Sequence, residues 1–291
     1  MSGSGRRADL HAHTRASDGL WPADELVGRA VAAGLWGLAV TDHDTLAAVP
    51  EALAAGRRHG LEVWAGVELG CRAEVEGGRG VDVHVLGLFL DPGRARLDRL
   101  EAYLAERRRD RLGRGEEMVR RLRQAGVAVA WEEVLAEAGG GAVGRPHVAR
   151  VLVRRGAARD LEDAFHRYLS PGRPGYVPQS PLSVAEGARW IREAGGAAVW
   201  AHPGLAEIDP ERATWWGEID GVEADHPKHD AQTRLTLREM ARARGRVVTG
   251  GSDAHGSPGR EGVGTCTTPE EGVDELRRRI RARFEGGGGA A

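Results

Sequence analysis

Leu38-Ala39-Val40-Thr41-Asp42-His43-Asp44 is a short apolar run that ends in acids and a histidine. The apolar part has the length and composition of a buried strand, and the polar end has those of a site. The same pattern recurs along the chain. Apolar runs end near residues 9–13, 39–43, 65–69, 84–89, 199–202, 222–226 and 248–253, giving seven strand candidates. Amphipathic stretches such as 22–33 and 182–194 separate most of them, with Gly34 and Gly195 where helix C-caps belong. Short strands alternating with helices predict a parallel β/α architecture. In a barrel of parallel strands the C-terminal ends share one face, and catalysis sits there. Nearly every acid–histidine cluster falls at such an end, which scattered surface histidines would not do.

Residues 94–179 break the rhythm. Helix follows helix over 97–127, 131–137, 147–155 and 161–168, punctuated by glycines at 139–141 and prolines at 171 and 174. The expected organisation is a discontinuous barrel, 1–93 and 180–285, with a helical insertion domain at 94–179 and a disordered Gly-rich tail at 286–291.

The 291 residues are 41% hydrophobic and 29% charged, as in soluble globular proteins, and suffice for a full core. The net charge of −2 gives no strong overall pull toward nucleic acid or anionic membrane. No apolar run reaches membrane-spanning length, and MSGSGRR at the N-terminus has no apolar signal segment. Cys71 and Cys266 form neither a disulfide framework nor a metal-type spacing. A cytoplasmic protein with no membrane and no obligate protein partner is expected. Lys228 is the only lysine; every other cation is arginine, whose fork suits bidentate phosphate contacts. The arginines of 107–114 alternate with Glu106 and Asp110 and read as a solvated, ion-paired helix face. The eight tryptophans read as core and interface anchors.

In Asp9-Leu10-His11-Ala12-His13-Thr14, residues i and i+2 of a strand point the same way, so His11 and His13 aim at one spot. Ser17-Asp18-Gly19 follows. His43 reads as a metal ligand; Asp42 and Asp44 have the alternative of capping the next helix, which is preferred for Asp44. Glu68, ending Gly66-Val67-Glu68, can bridge two cations with one oxygen each. His84, in an apolar strand, would on its own read as a core histidine. His202, His226, Asp253 and His255 end the last three strands, and the pair 253/255 repeats the i, i+2 geometry. So many imidazoles and carboxylates exceed one ion's needs. They predict two or three divalent cations, Mn²⁺ foremost and Zn²⁺ or Fe²⁺ as alternatives, with no thiolate recruited. Clustered cations acidify water, so hydroxide becomes available near neutral pH for a hydrolytic attack.

Taken together, DLHAHTRASDG (9–19), TDHDT (41–45), GVEL (66–69), HVLGLF (84–89), AHPG (201–204) and GSDAHG (251–256) resemble the PHP (polymerase and histidinol phosphatase) family. The resemblance implies an α/β fold, a distorted (β/α)₇ TIM-like barrel, and phosphoesterase activity. It also implies a ligand set. A first ion would take His11, His13, Glu68 and Asp253; a second Glu68, His84 and His202; a third Asp18, His43 and His255. Gly144-Arg145-Pro146-His147-Val148-Ala149-Arg150 and Gly175-Tyr176-Val177-Pro178 resemble the branch of 3′,5′-nucleoside bisphosphate phosphatases and 5′-3′ exoribonucleases (RNase AM). In that branch Arg145 and His147 would bind the substrate phosphate, and Arg145 would stabilise developing charge. His226 would neighbour the reacting group and is the preferred general acid. The expected substrates are phosphate monoesters or 5′-terminal phosphodiesters of nucleotides or short single-stranded oligonucleotides.

Three rivals remain. A histidinol-phosphate phosphatase would share the metals, but the GRPHVAR segment speaks against it. An amidohydrolase-type metal hydrolase often bridges its ions with a carboxylated lysine, and here Glu68 fills that slot. A non-catalytic nucleic-acid-binding module would have lost ligands.

Overall fold

In the computed structural model of the chain, eight strands among the described residues form one sheet. They are β1 (Arg7–Asp9), β2 (Gly37–Val40), β3 (Glu62–Val75), β4 (Arg79–Leu90), β5 (Ala197–Ala201), β6 (Gly221–Asp225), β7 (Val247–Gly250) and the two-residue β8 (Thr268–Pro269). Their order is β7-β6-β5-β4-β3-β2-β1-β8. The structure describes residues 5–75, 78–92, 95–179, 181–206, 208–256 and 262–285; the tail expected at 286–291 lies outside them.

The sheet nearly closes on itself just past β1 and β7. A parallel bridge pairs Ala12 with Ala254. His13 N–H donates to the Ala254 carbonyl at 3.0 Å, and Asp253 N–H donates to the His11 carbonyl at 2.8 Å. Two of the histidine–acid motifs are thus the seam of the barrel.

The expected distorted α/β barrel is what forms, but β4 departs from the parallel pattern. β4 runs antiparallel to both β3 and β5. Apolar alternation marks a strand but carries no direction, and direction follows from the connection. Only three residues separate β3 from β4, whose pairing starts at Val75 opposite Arg79. As a result His84 sits mid-strand, opposite Gly70 and Ala201, yet level with the C-terminal ends of the parallel strands. β3 also outlasts its expected end near residue 69. Buried Cys71 and Ala73 alternate with the more exposed Arg72 and Glu74, so the period of two continues. β8 adds an eighth strand beyond the seven expected.

Helices α1 (Ala23–Ala32) and α2 (Val49–His59) pack beside β2 and β3. Between β4 and β5 lie α3 (Ala95–Gln124), α4 (Trp131–Ala138), α5 (Arg145–Arg154) and α6 (Leu161–Ala164), which runs into a π-helical turn, Phe165–Leu169. α7 (Val184–Glu193), α8 (Ala231–Ala243) and α9 (Glu270–Glu285) complete the outer layer. Gly34 and Gly195 end α1 and α7 with φ of 68° and 85°, which suits residues without a Cβ.

Ala8, Leu10, Ala39, Leu86, Leu88 and Val199 belong to the core inside the barrel. α3 serves two cores. Its first half sends Leu97, Leu100 and Leu104 into the core that also holds Val83 and Trp200. Its second half sends Met118, Val119 and Leu122 into a separate core with Val134, Val148 and Leu152. Trp200 is fully buried and meets Trp215 and Trp216 edge-on, the anchoring role expected of tryptophan.

Candidate metal centre

His11 and His13 leave β1 side by side, fully buried, with their Nε2 atoms 3.1 Å apart. Each Nε2 lies 3.2–3.3 Å from Glu68 Oε2 and 3.2–3.4 Å from Asp253 Oδ1. These spacings of 3.1–3.4 Å suit donor atoms that share one divalent cation at bond lengths of about 2.0 Å. The other Glu68 oxygen, Oε1, faces His84 Nδ1 at 2.7 Å and His202 Nε2 at 3.0 Å. The two oxygens of one buried carboxylate therefore address two different sets of imidazoles. A third group gathers on Asp18, with His255 Nε2 at 3.2 Å and His43 Nε2 at 3.7 Å. His43 spans two groups, because its Nδ1 lies 3.1 Å from Glu68 Oε2.

All nine residues with expected ligand roles thus come together. Donor atoms of His13, Asp18, His43 and His255, of His11, His13, Glu68 and Asp253, and of His43, Glu68 and His84 each fall within 4.8 Å of one another. Asp18 Oδ1, His43 Nδ1 and Glu68 Oε2 are buried without a hydrogen-bond partner. Buried polar atoms are rarely left in that condition, and cations on this donor set would satisfy them.

The electrostatics have the same sense. Burial alone would raise the Asp18, Glu68 and Asp253 carboxyls, yet the surrounding histidines hold all three well below the usual range. Burial would lower His13, but hydrogen bonds to Asp253 and Glu68 raise it to about 10. For His43 burial wins over Glu68 and Asp18 and pushes it down to about 3.

Outer partners fix this arrangement. Glu223 accepts from His11 Nδ1 at 3.0 Å and from the His202 N–H at 2.8 Å. Asp42 accepts from the Thr14 N–H, the Thr14 hydroxyl and the Ser17 hydroxyl, which sets the loop that carries Asp18. His255 Nδ1–H donates to the Asp253 carbonyl, so its Nε2 is the atom turned to Asp18. Asp44, His202 and Asp253 have positive φ (49°, 30° and 50°), a strained backbone state that collects at functional sites. Glu223 escaped the sequence reading: it lies on β6 between apolar neighbours and reaches His11 inside the barrel, while Asp225, beyond a register shift in the strand, pairs with Arg238 on α8.

A cavity of about 590 Å³ opens over this cluster. Asp18, His43, Glu68, His84, His202, Asp253 and His255 line its barrel side; Arg111, Arg114, Arg145 and Arg150 line the side made by the helices after β4. Arg107, Arg111 and Arg114 are spaced i, i+4, i+7 and so share one face of α3. Arg107 and Arg111 are buried on Asp44, at 3.2 and 2.6 Å. This corrects two expectations. The 107–114 face is not wholly solvated, and Asp44 caps no helix but binds two buried guanidinium groups. Single-helix spacing shows which residues share a face; it does not show what that face meets.

Two expected substrate contacts also change. His147 is buried outside the cavity lining, and its Nδ1 accepts the Gly144 N–H at 3.0 Å. It pins the turn that presents Arg145 and offers nothing to the cavity. His226 is likewise buried outside the lining. Its Nδ1 accepts the Lys228 N–H at 3.2 Å, so Nε2 carries the proton and donates to Asp253 Oδ2 at 3.3 Å. Arg145 does reach the cavity, with Phe165 and Tyr176 rings 5.9 Å away on either hand.

A nearly closed barrel with a carboxylate-bridged histidine cluster, faced by arginines, defines a metal-dependent phosphoesterase. The chain belongs to the PHP domain family, whose profile matches residues 9–169. It is 36% identical to the 5′-3′ exoribonuclease Rnm of Salmonella typhimurium over 258 residues, 85% of this chain and 84% of that protein. It is 35% identical to the 3′,5′-nucleoside bisphosphate phosphatase of Chromobacterium violaceum over 261 residues, 87% of this chain and 88% of that one. Among solved structures, a proposed metal-dependent phosphoesterase of Bifidobacterium adolescentis superimposes with a TM-score of 0.82 at 33% identity, covering 94% of this chain and 96% of the other.

Proposed function

We propose that the chain hydrolyses phosphate monoesters or 5′-terminal phosphodiesters of nucleotides and short single-stranded oligonucleotides. One observation carries this reading: the cavity has two walls with opposite unmet needs. Its barrel wall carries buried donor atoms without partners. Its arginine wall carries Arg114, whose buried Nη2 has no hydrogen-bond partner. Burial, with repulsion from Arg145 and Arg111, pushes that guanidinium down to about 9. A phosphate held between cations and arginines meets both needs. The activities named for the Salmonella and Chromobacterium relatives belong to the same chemistry.

In this reading His11, His13, Glu68 and Asp253 hold one ion, Glu68, His84 and His202 a second, and Asp18, His43 and His255 a third, with Mn²⁺ the preferred metal. Bound divalent cations supply acidified water and charge neutralisation at phosphoryl oxygens. Arg145 steadies the phosphate, and its guanidinium fork orients two oxygens at once. Glu223 holds the His11 tautomer, and His226 holds Asp253. With both ring nitrogens engaged, His226 acts through Asp253 and not as the general acid. The separate core around Val134 and Leu152 supports reading 94–179 as an insertion domain in a barrel of 1–93 and 180–285. A cytoplasmic setting, with a small nucleotide or oligonucleotide as the only partner, completes the proposal.

The test is a substrate panel with Mn²⁺. Phosphate release from 3′-phosphoadenosine 5′-phosphate, or nucleotide release from 5′-phosphorylated RNA, is expected. Turnover confined to histidinol phosphate would overturn the nucleotide reading.

A further inference from the structure

The segment returning from the helices to α7 carries Gln179 into the cavity wall, where its side chain is buried. Its amide nitrogen lies 3.0 Å from His84 Nε2. The opposite ring atom, Nδ1, lies 2.7 Å from Glu68 Oε1. Both nitrogens of His84 are therefore engaged, one by the bridging carboxylate and one by Gln179. Gly70 stands opposite His84 in the β3–β4 register, and a Cβ there would overlap the Gln179 amide oxygen. The missing side chain is the slot through which Gln179 reaches the ring.

A neutral imidazole carries one N–H, and its partner on one nitrogen decides what the other can do. When the Gln179 NH₂ group donates to Nε2, the ring proton sits on Nδ1 and is donated to Glu68; no lone pair then faces a cation. When the amide presents its oxygen, the proton moves to Nε2 and the Nδ1 lone pair opens beside Glu68 Oε1 and His202. An amide can play either part, whereas a carboxylate can only accept. We infer that Gln179 is a positioning residue that sets the His84 tautomer and so controls whether His84 joins Glu68 and His202 as a ligand. The inference rests on the ligand assignment proposed above. It makes the Glu68 Oε1 side a site whose affinity is tuned from outside the barrel strands.

The experiment is a titration of metal-free protein with Mn²⁺, followed by calorimetry and by counting bound ions. Gln179→Glu fixes an acceptor on Nε2 and should tighten the ion served by His84 about tenfold; Gln179→Leu should weaken it about 10- to 100-fold. Gly70→Ala should reproduce the weakening by displacing the amide. In a Gln179→Ala background, where the slot is open, Gly70→Ala should add nothing. Equal affinities across wild type, Gln179→Glu and Gln179→Leu would overturn the inference, as would additive losses in the double variant. His84→Ala separates this from the assignment beneath it. If that variant binds as many ions as wild type, with the same affinities, the assignment of His84 fails. If it loses an ion while both Gln179 variants bind like wild type, only the role of Gln179 fails.

Discussion

The barrel wall of the cavity and the arginine wall above it face opposite electrostatic problems. On the barrel wall, Asp18, Glu68 and Asp253 stay ionised in a buried setting because histidines crowd around them. Behind the arginine wall Arg107 joins Arg111 on Asp44, and Arg150 pairs with Glu137, while Arg114 and Arg145 form no ion pair among the described residues. Asp44 follows His43 directly, so the residue that ties down the arginines is chain neighbour to one that faces Asp18 and Glu68. Charge is balanced by ion pairs where the two regions join, and Arg114 and Arg145 face the open cavity without one among the described residues. The difference teaches where the ligand belongs, since an isolated buried charge is costly and persists when something else neutralises it.

The strongest attack on this contrast is Asp253→Ala. It removes a donor shared by His11 and His13, and activity should fall at least about 10³-fold, beyond the 10- to 100-fold typical of losing an outer-shell partner. Metal analysis should show lost ion with the fold retained by circular dichroism; full activity would contradict the assignment of Asp253.

Asp44→Asn tests the junction. Two guanidinium groups would stay buried without their countercharge, and urea unfolding should show a loss of about 3–5 kcal/mol. The sign with pH follows from the carboxyl. Burial would raise it, but Arg111 and Arg107 hold it below its ordinary 3.8. Its contribution is therefore full above that value and fades as pH falls through the lowered one. The gap between variant and wild type should close in strong acid and stay wide at neutral pH.

Arg145→Ala probes the unbalanced side. A loss of about 100-fold in kcat/KM is expected, with metal content unchanged. An equal loss of bound metal would mean that the two walls are not separable. Glu223→Gln should give the smallest effect, weakening metal binding about 10-fold as the hydrogen bond to His11 Nδ1 loses its charge. Calorimetry against wild type measures it.

The barrel wall was the more legible of the two. Its donors sit at strand ends, where a period of two and an apolar lead-in show their common direction from a few residues of sequence. The arginine wall depends on what α3 packs against, and Asp44 lies 63 residues before Arg107. Helical spacing alone could group Arg107, Arg111 and Arg114, but it could not distinguish solvent from a buried acid. The direction of β4 was hidden for a similar reason, because alternation is the same read either way. Glu223 and Gln179 carry no motif: one is a strand acid among apolar neighbours, the other a polar residue in an irregular segment. Each acquires its role only when the barrel brings a histidine to it.

The seam between Ala12 and Ala254 has a consequence for how the protein comes into being. Synthesis proceeds from the N-terminus, so Asp253 and His255 leave the ribosome about 240 positions after His11 and His13. A growing chain holds six of the nine proposed metal donors by His84, long before His202, Asp253 and His255 exist. The proposed donor set is complete only when the last parallel strand docks, and the same event closes the barrel. Folding and assembly of the candidate site are thereby one event, and a chain that stops short of β7 has neither a closed barrel nor a full donor set.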